Sequence, residues 1–77
     1  MINVSKKARR DLVFFEKYDP KLYSKVYSTL IRELEIPSIP GIYKRKIGPN
    51  YNLVYSVFKD STLRLQRFEY INKKRLI

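Results

Sequence analysis

After the first four residues, the apolar residues of this chain change their spacing once, in the segment that runs from Pro37 to Gly41. Before this segment they recur at every third or fourth position, which is the period of an amphipathic helix. After it they alternate with polar residues, which is the period of a strand with one buried face. Pro37 and Pro40 end the helical part, because proline cannot donate a helical hydrogen bond. The chain therefore places its helices and most of its strands in separate stretches.

Two helices are predicted in the first half. Ser5 can cap the first helix, along which Ala8, Leu12 and Phe15 recur at helical spacing. The pair Asp19-Pro20 suits the N-cap and the first position of a second helix. The apolar stripe of the second helix is predicted to contain Leu22, Val26, Leu30 and Leu34, widened by Tyr23, Tyr27 and Ile31.

Four strands are predicted to accompany these helices. They cover residues 1–4, 42–47, 51–58 and 62–70, with turns at residues 48–50 and 59–61. In the last strand, alternation is expected to place Leu63, Leu65 and Arg67 on one face. The order β-α-α-β-β-β predicts an α+β fold, with both helices packed on one face of a small antiparallel-rich sheet. We expect one domain over residues 1–77.

Composition excludes several classes of protein. The chain of 77 residues has no cysteine, and therefore neither disulfides nor thiolate metal ligands. It also has no histidine, the commonest metal ligand and the usual proton carrier at neutral pH. No apolar run approaches the roughly 20 residues of a membrane helix, and nothing resembles a signal peptide. We expect a cytoplasmic protein without a metal or small-molecule cofactor.

The charge of the chain is strongly positive and uneven. The net charge is +10, and residues 1–35 carry eight Lys and Arg against five acids, whereas residues 36–77 carry nine against two. Such a surface attracts nucleic acid, anionic membranes or acidic proteins. The basic residues of the second half fall mainly on strands rather than along an amphipathic helix, which argues against a membrane-surface protein. RNA is therefore the expected partner.

One predicted strand presents basic residues on both of its faces. Alternation places Lys44 and Lys46 on one face and Arg45 on the other. Two cations about 7 Å apart on one strand face match neighbouring phosphates of a nucleic acid. Aromatic residues that interleave with these cations could stack on unpaired bases, although aromatic strand residues more often form the core. These aromatic residues are Tyr51, Tyr55, Phe68 and Tyr70.

Two of the predicted strands contain recognisable motifs. Residues 41–47 read GIYKRKI and residues 51–57 read YNLVYSV. These segments resemble the RelE/ParE toxin superfamily, whose RelE branch reads approximately G-x-Y-K-x-K-hydrophobic and Y-R-L-V-Y-x-V. Residues 47–51, which read IGPNY, and the spacing Leu63-x-Leu65-x-Arg67 are also similar to the YafQ branch, with its I-x-P-D-W and L-x-L-x-R. The similarity spans nearly the whole chain, and the motifs occur in the same order and at the same spacing.

This resemblance implies the toxin of a type II toxin–antitoxin system. Such a toxin is a metal-independent endoribonuclease that cleaves mRNA on the ribosome and inhibits translation, and an acidic antitoxin protein neutralises it. On this interpretation the catalytic residues are Lys44, Lys46, Arg67 and Tyr70. The predicted RNA-binding residues are Arg45, Asn50, Tyr51, Asn52, Lys73, Lys74 and Arg75.

The sequence also departs from these motifs. Asn52 replaces the arginine of Y-R-L-V-Y, and Asn50 replaces the aspartate of I-x-P-D-W. The histidine positions of the YafQ branch fall on Lys46 and near Ile71. Lys46 is then the candidate base, because neighbouring cations lower the pKa of a lysine. With neither histidine nor a carboxylate expected at the site, we expect slow cleavage of RNA alone and a need for the ribosome to align the substrate.

Two alternatives to the ribonuclease stay open at this stage. A catalytically silent module with the RelE fold that binds RNA or protein is favoured by the changes at Asn50 and Asn52. A gyrase inhibitor of the ParE type shares the fold and acts by binding protein. The paired lysines at positions 44 and 46 argue against the gyrase inhibitor.

Overall fold

The computed structural model describes residues 2–35 and 39–71. The elements are β1 (Ile2–Val4), α1 (Lys6–Tyr18), α2 (Pro20–Glu35), β2 (Gly41–Ile47), β3 (Tyr51–Val57) and β4 (Leu63–Tyr70). The predicted α+β class and element order are confirmed. The predicted helix stop at Pro37 lies outside the described residues. Neither helix of the described part is long and apolar enough to cross a membrane.

The strands form one mixed sheet in the order β1-β4-β3-β2. β2, β3 and β4 are antiparallel neighbours, and β1 pairs parallel with β4. Both helices pack on one face of this sheet. We call the opposite face, which no described helix covers, the open face. It carries Lys44 and Lys46 of β2, Asn52, Val54 and Ser56 of β3, and Arg64, Gln66, Arg67 and Glu69 of β4.

Side-chain caps begin both helices at the predicted positions. The Ser5 hydroxyl accepts a hydrogen bond from the Ala8 amide at 3.1 Å and donates one to the Gln66 carbonyl at 2.5 Å. Asp19 Oδ1 accepts from the Leu22 amide at 3.3 Å. Each cap satisfies an amide that the helix itself leaves without a partner. The bond to Gln66 also fixes the start of α1 against β4.

The core lies between the helices and the sheet. It contains Ala8, Leu12, Phe15, Leu22, Val26 and Leu30 of the helices and Ile47, Leu53, Tyr55, Val57, Leu63, Leu65 and Phe68 of the sheet. The Phe15 ring lies edge-on to the rings of Tyr51 and Phe68, at 5.1 Å from each. The predicted stripe of α2 holds as far as Leu30. Beyond it, Ile31 and Leu34 are exposed.

A β-bulge in β4 changes which residues share a face. Val54 pairs with Arg67, whereas its neighbour Tyr55 pairs with Leu65, so β4 holds one extra residue at Gln66. Gln66 and Arg67 consequently both lie on the open face. The prediction that Arg67 shares a face with Leu65 was therefore wrong, because strict alternation assumes that no residue is inserted.

The two predicted turns are confirmed at residues 48–50 and 59–61. Gly48 has a φ of +68°, in the left-handed region that favours glycine. A Cβ atom at this position would lie 3.4 Å from Leu22 Cδ1 of α2. In the second turn, Asp60 Oδ1 accepts from the Thr62 amide at 3.0 Å. Hydrogen bonding to the side chain of Thr62, and next to its backbone, lowers the pKa of Asp60. The first turn holds β2 and β3 in register at one end of the open face.

Candidate functional site

The open face gathers three of the four predicted catalytic residues. Lys44 and Arg67 lie in one cross-strand row, on either side of Val54. Lys46 lies in the next row, which continues through Asn52 to β4. The sheet therefore brings together cations that are more than twenty positions apart in the sequence. Their side chains extend from an edge strand and a central strand into the same space.

Glu69 lies between these cations and contacts two of them. Its Oε1 atom is 2.9 Å from Lys44 Nζ, and its Oε2 atom is 2.9 Å from Arg67 Nη2 and 3.2 Å from Arg67 Nε. The pKa of Glu69 is lowered below its ordinary value, chiefly by the hydrogen bond from Lys44 and next by the hydrogen bond from Arg67. The carboxylate is therefore ionised at neutral pH. Its two oxygens mark the point on which a lysine and an arginine converge.

An apolar floor lies beneath this ion cluster. Val54 is only 2% exposed, although it lies on the face away from the helices and outside the core that they cover. The side chains of the open face must therefore exclude water from it. Charges above an apolar surface interact more strongly than the same charges fully in water. The cluster thus presents its charges above an apolar surface, while the side chains of Lys44 and Arg67 remain about half exposed to solvent.

Sequence reasoning missed Glu69, and its expectation that the site has no carboxylate was wrong. The available signal was the two-residue spacing of Arg67 and Glu69, which places both on one strand face. The same reasoning missed three further polar residues of the open face, because the register of the strands is needed to place them together. They are Ser56, Arg64 and Gln66. Gln66 Nε2 donates to Ser56 Oγ at 3.0 Å, and Ser56 pairs across the sheet with Arg64.

Arg45 lies on the opposite, helix-covered face, as alternation predicted. Its Nε donates to Tyr55 Oη at 3.2 Å, and its Nη2 is 3.3 Å from Glu33 Oε1 of α2. Tyr55 Oη itself donates to Glu33 Oε1 at 2.7 Å. Burial is the largest cause that raises the pKa of Tyr55, and the hydrogen bond to Glu33 adds to it. Arg45 thus joins β2 to α2 and is separated by the sheet from Lys44 and Lys46.

Tyr70, the fourth predicted catalytic residue, lies away from this cluster. It is 66% exposed at the end of β4, and its ring lies edge-on to that of Tyr51 at 5.5 Å. Tyr51 in turn contacts Phe15 of α1, so both tyrosines lie on the helix side of the sheet. The structure does not bring Tyr70 together with Lys44.

The remaining predicted RNA-binding residues are dispersed. Asn52 lies on the open face between Lys46 and Glu69. Asn50 lies in the β2–β3 turn, where its carbonyl accepts from the Ile71 amide at 2.7 Å. Lys73, Lys74 and Arg75 lie outside the described residues. Within residues 2–35 and 39–71, no group of three acidic side chains could hold a metal ion.

Comparison with solved structures identifies the fold. The structure of the YoeB dimer from Staphylococcus aureus matches with a TM-score of 0.72, over 92% of this chain and 95% of that chain, at 24% sequence identity. The fold is RelE/YoeB-like. No family model and no curated protein matches the chain. The RelE/YoeB-like fold agrees with the architecture implied by the sequence motifs.

Proposed function

We propose that this chain is the toxin of a type II toxin–antitoxin system and cleaves mRNA on the ribosome. The observation that carries the proposal is the convergence of Lys44 and Arg67 on the two oxygens of one carboxylate. An arrangement that pairs with two carboxylate oxygens also suits two non-bridging oxygens of one phosphate. The RelE/YoeB-like fold is the second support, because toxins of this kind share it.

The chemistry of such a cleavage is positional and electrostatic. The 2′-hydroxyl attacks the neighbouring phosphorus in line with the leaving 5′-oxygen, and cations offset the charge that develops on the phosphate. Lys44 and Arg67 are proposed to hold the phosphate, with Lys46 beside them for proton transfer. Asn52 on the open face and Asn50 in the β2–β3 turn are proposed to position the RNA beside this phosphate. The exposed Tyr70, next to Tyr51 at the end of the sheet, is proposed to contact the RNA beyond the open face. The basic residues at 73–75 are proposed to extend this contact along the RNA.

The net charge of the chain supports RNA as the substrate. At +10, the protein would gain much of its RNA affinity by releasing counterions, so that affinity falls as salt is raised. On the open face, Lys44, Lys46, Arg64 and Arg67 outnumber the single acid Glu69. Because free RNA would bind such a surface in many registers, the ribosome is proposed to supply the alignment that cleavage needs. The protein would then act in the cytoplasm.

An acidic antitoxin is the proposed protein partner. The exposed side of α1 carries Val13, Phe14 and Tyr18, which are 63%, 55% and 63% exposed. The rings of Phe14 and Tyr18 are 4.8 Å apart, and Lys17 Nζ lies 5.4 Å from the centre of the Tyr18 ring. An amphipathic acidic segment could cover these apolar groups and pair with the lysine.

Primer extension on a reporter mRNA tests the proposal. The purified protein is added to a cell-free translation system and, separately, to the same mRNA without ribosomes. We expect new 5′ ends at codon-spaced positions in the first reaction and at least tenfold fewer in the second. Salt-dependent RNA binding without any cleavage in either reaction would instead identify a silent binding module.

A further inference from the structure

Attack by a 2′-hydroxyl requires a group that accepts its proton. The chain contains no histidine. A lysine can accept a proton only after it has lost its own, and the ordinary pKa of a lysine is about 10.4. Amide and hydroxyl side chains such as those of Asn52 and Ser56 are weak acceptors at neutral pH. Among the described residues of the open face, Glu69 is the ionised group that can accept a proton directly.

We propose that Glu69 is the general base of the cleavage. This inference rests on the proposed ribonuclease function and names the residue that its chemistry lacks. The carboxylate contacts both Lys44 and Arg67, the two residues proposed to hold the scissile phosphate. A phosphate bound by these cations must therefore lie against Glu69. The 2′-hydroxyl on the adjoining ribose would then come within hydrogen-bonding reach of the carboxylate, as a general base requires.

The proposed step is balanced in atoms and charge. The O2′–H bond breaks and its proton passes to a Glu69 oxygen, while O2′ forms a bond to phosphorus. The bond from phosphorus to O5′ breaks, and the leaving oxygen takes a proton from the Lys46 ammonium. The products are a 2′,3′-cyclic phosphate and a free 5′-hydroxyl. Return of a proton from water to Lys46, and its loss from Glu69, restores the site.

The charges around Glu69 explain how it can act as a base. In the structure described here its pKa is lowered, chiefly by the hydrogen bonds from Lys44 and Arg67. A bound phosphate would draw those two cations toward itself and bring a second negative charge beside the carboxylate. Both effects raise the proton affinity of Glu69 when substrate is present. Lys46 lies in the same cross-strand row as Glu69, on the other side of Asn52, and is the residue proposed to protonate the leaving oxygen.

Glu69→Gln tests the inference, because it keeps the size of the side chain and removes its basicity. We expect single-turnover cleavage of mRNA in the cell-free translation system to fall by about 10²–10⁴-fold. Glu16→Gln is the matched control, since it removes the same charge from the exposed surface of α1. It should cleave within about threefold of the parent.

Binding gives a readout that a purely structural role would not produce. Affinity for an oligoribonucleotide with 2′-O-methyl groups, which cannot be cleaved, should hold or increase in Glu69→Gln, because a negative charge next to the phosphate site is lost. Glu69→Asp retains a base on a shorter side chain and should recover part of the cleavage rate. Loss of cleavage together with loss of binding would identify a folding role and overturn the inference.

The pH dependence separates Glu69 from a lysine base. With a carboxylate base, the single-turnover rate should level off within the range from pH 6 to pH 8.5, even with the higher proton affinity that bound phosphate gives Glu69. With Lys46 as the base, the rate should rise about tenfold per pH unit over the same range. If the parent protein cleaves and Glu69→Gln cleaves equally fast or faster, Glu69 is not the general base, but the proposed ribonuclease function stands. A parent protein that does not cleave at all would refute the proposed function as well.

Discussion

Tyr55 Oη donates a hydrogen bond of 2.7 Å to Glu33 Oε1, and this contact joins the centre of the sheet to α2. Tyr55 is fully buried, and the Glu33 side chain is only 12% exposed. The ring of Tyr55 also stacks on that of Tyr43 of β2, with centroids 5.6 Å apart. The strand that carries Lys44 and Lys46 is therefore supported from behind by a buried polar contact and an aromatic pair.

Removal of the Tyr55 hydroxyl should destabilise the fold. Tyr55→Phe leaves the Glu33 carboxylate without its shortest donor in a nearly buried position, which costs about 1–3 kcal/mol. The free energy of unfolding, measured by urea denaturation, should fall by that amount. Tyr18→Phe, which removes the hydroxyl from an exposed ring, should change it by less than about 0.5 kcal/mol. Equal effects of the two substitutions would contradict the role given to this contact.

Arg45 should matter for stability and not for RNA cleavage. Because it is about half exposed, its pairing with Glu33 is screened, and Arg45→Ala should cost no more than about 1 kcal/mol. Cleavage of mRNA by this variant should stay within about threefold of the parent, whereas Arg67→Ala should lose most of its activity. If Arg45→Ala weakens salt-dependent RNA binding as much as Lys44→Ala does, Arg45 contacts RNA, and its role is not limited to joining β2 to α2.

The spacing of apolar residues predicted most of this fold, because each element keeps one period along its length. The stripe of α2 and the division of Lys44 from Arg45 both follow from that regularity. The bulge at Gln66 could not be predicted in this way, since it depends on how β4 pairs with Val54 and Tyr55. That one inserted residue moves Arg67 onto the open face.

The centre of the candidate site was hidden for a related reason. Glu69 meets Lys44 across an intervening strand, and no spacing within either strand reveals that two such distant residues touch. By contrast, the pairing of Glu69 with Arg67, two residues earlier, could be predicted from the alternation of side chains along one strand.

The pairing of Glu69 should make the stability of the protein depend on pH. Because the folded state lowers the pKa of Glu69, its contribution is complete above the unfolded value of about 4.3 and is lost as pH falls through the folded value. Parent and Glu69→Gln should therefore differ in free energy of unfolding at pH 7, and the difference should shrink as pH falls below about 4.3. Asp60, whose pKa is also lowered, is present in both proteins and cancels. A difference that does not change with pH would exclude this linkage.

The β2–β3 turn should be sensitive to the backbone conformation of Gly48. Gly48→Ala forces a side chain into the left-handed region at φ +68°, which costs about 1–2 kcal/mol. Gly48→Asn brings the same Cβ atom to Leu22 but tolerates that conformation better, so it should cost less. Thermal unfolding of both variants checks the order. If Asn proves as costly as Ala, contact with Leu22 and not backbone strain decides the effect.

The central claim is that the lysines of the open face take part in cleavage. Its most direct test compares the rate at which new mRNA 5′ ends appear in the cell-free translation system for Lys44→Ala/Lys46→Ala and for Lys6→Ala/Lys7→Ala. The second variant removes the same charge from the exposed first turn of α1. We predict that the first loses at least 100-fold in rate, about 2.7 kcal/mol of transition-state stabilisation, while the second cleaves within about threefold of the parent. Equal rates for the two variants would contradict the account.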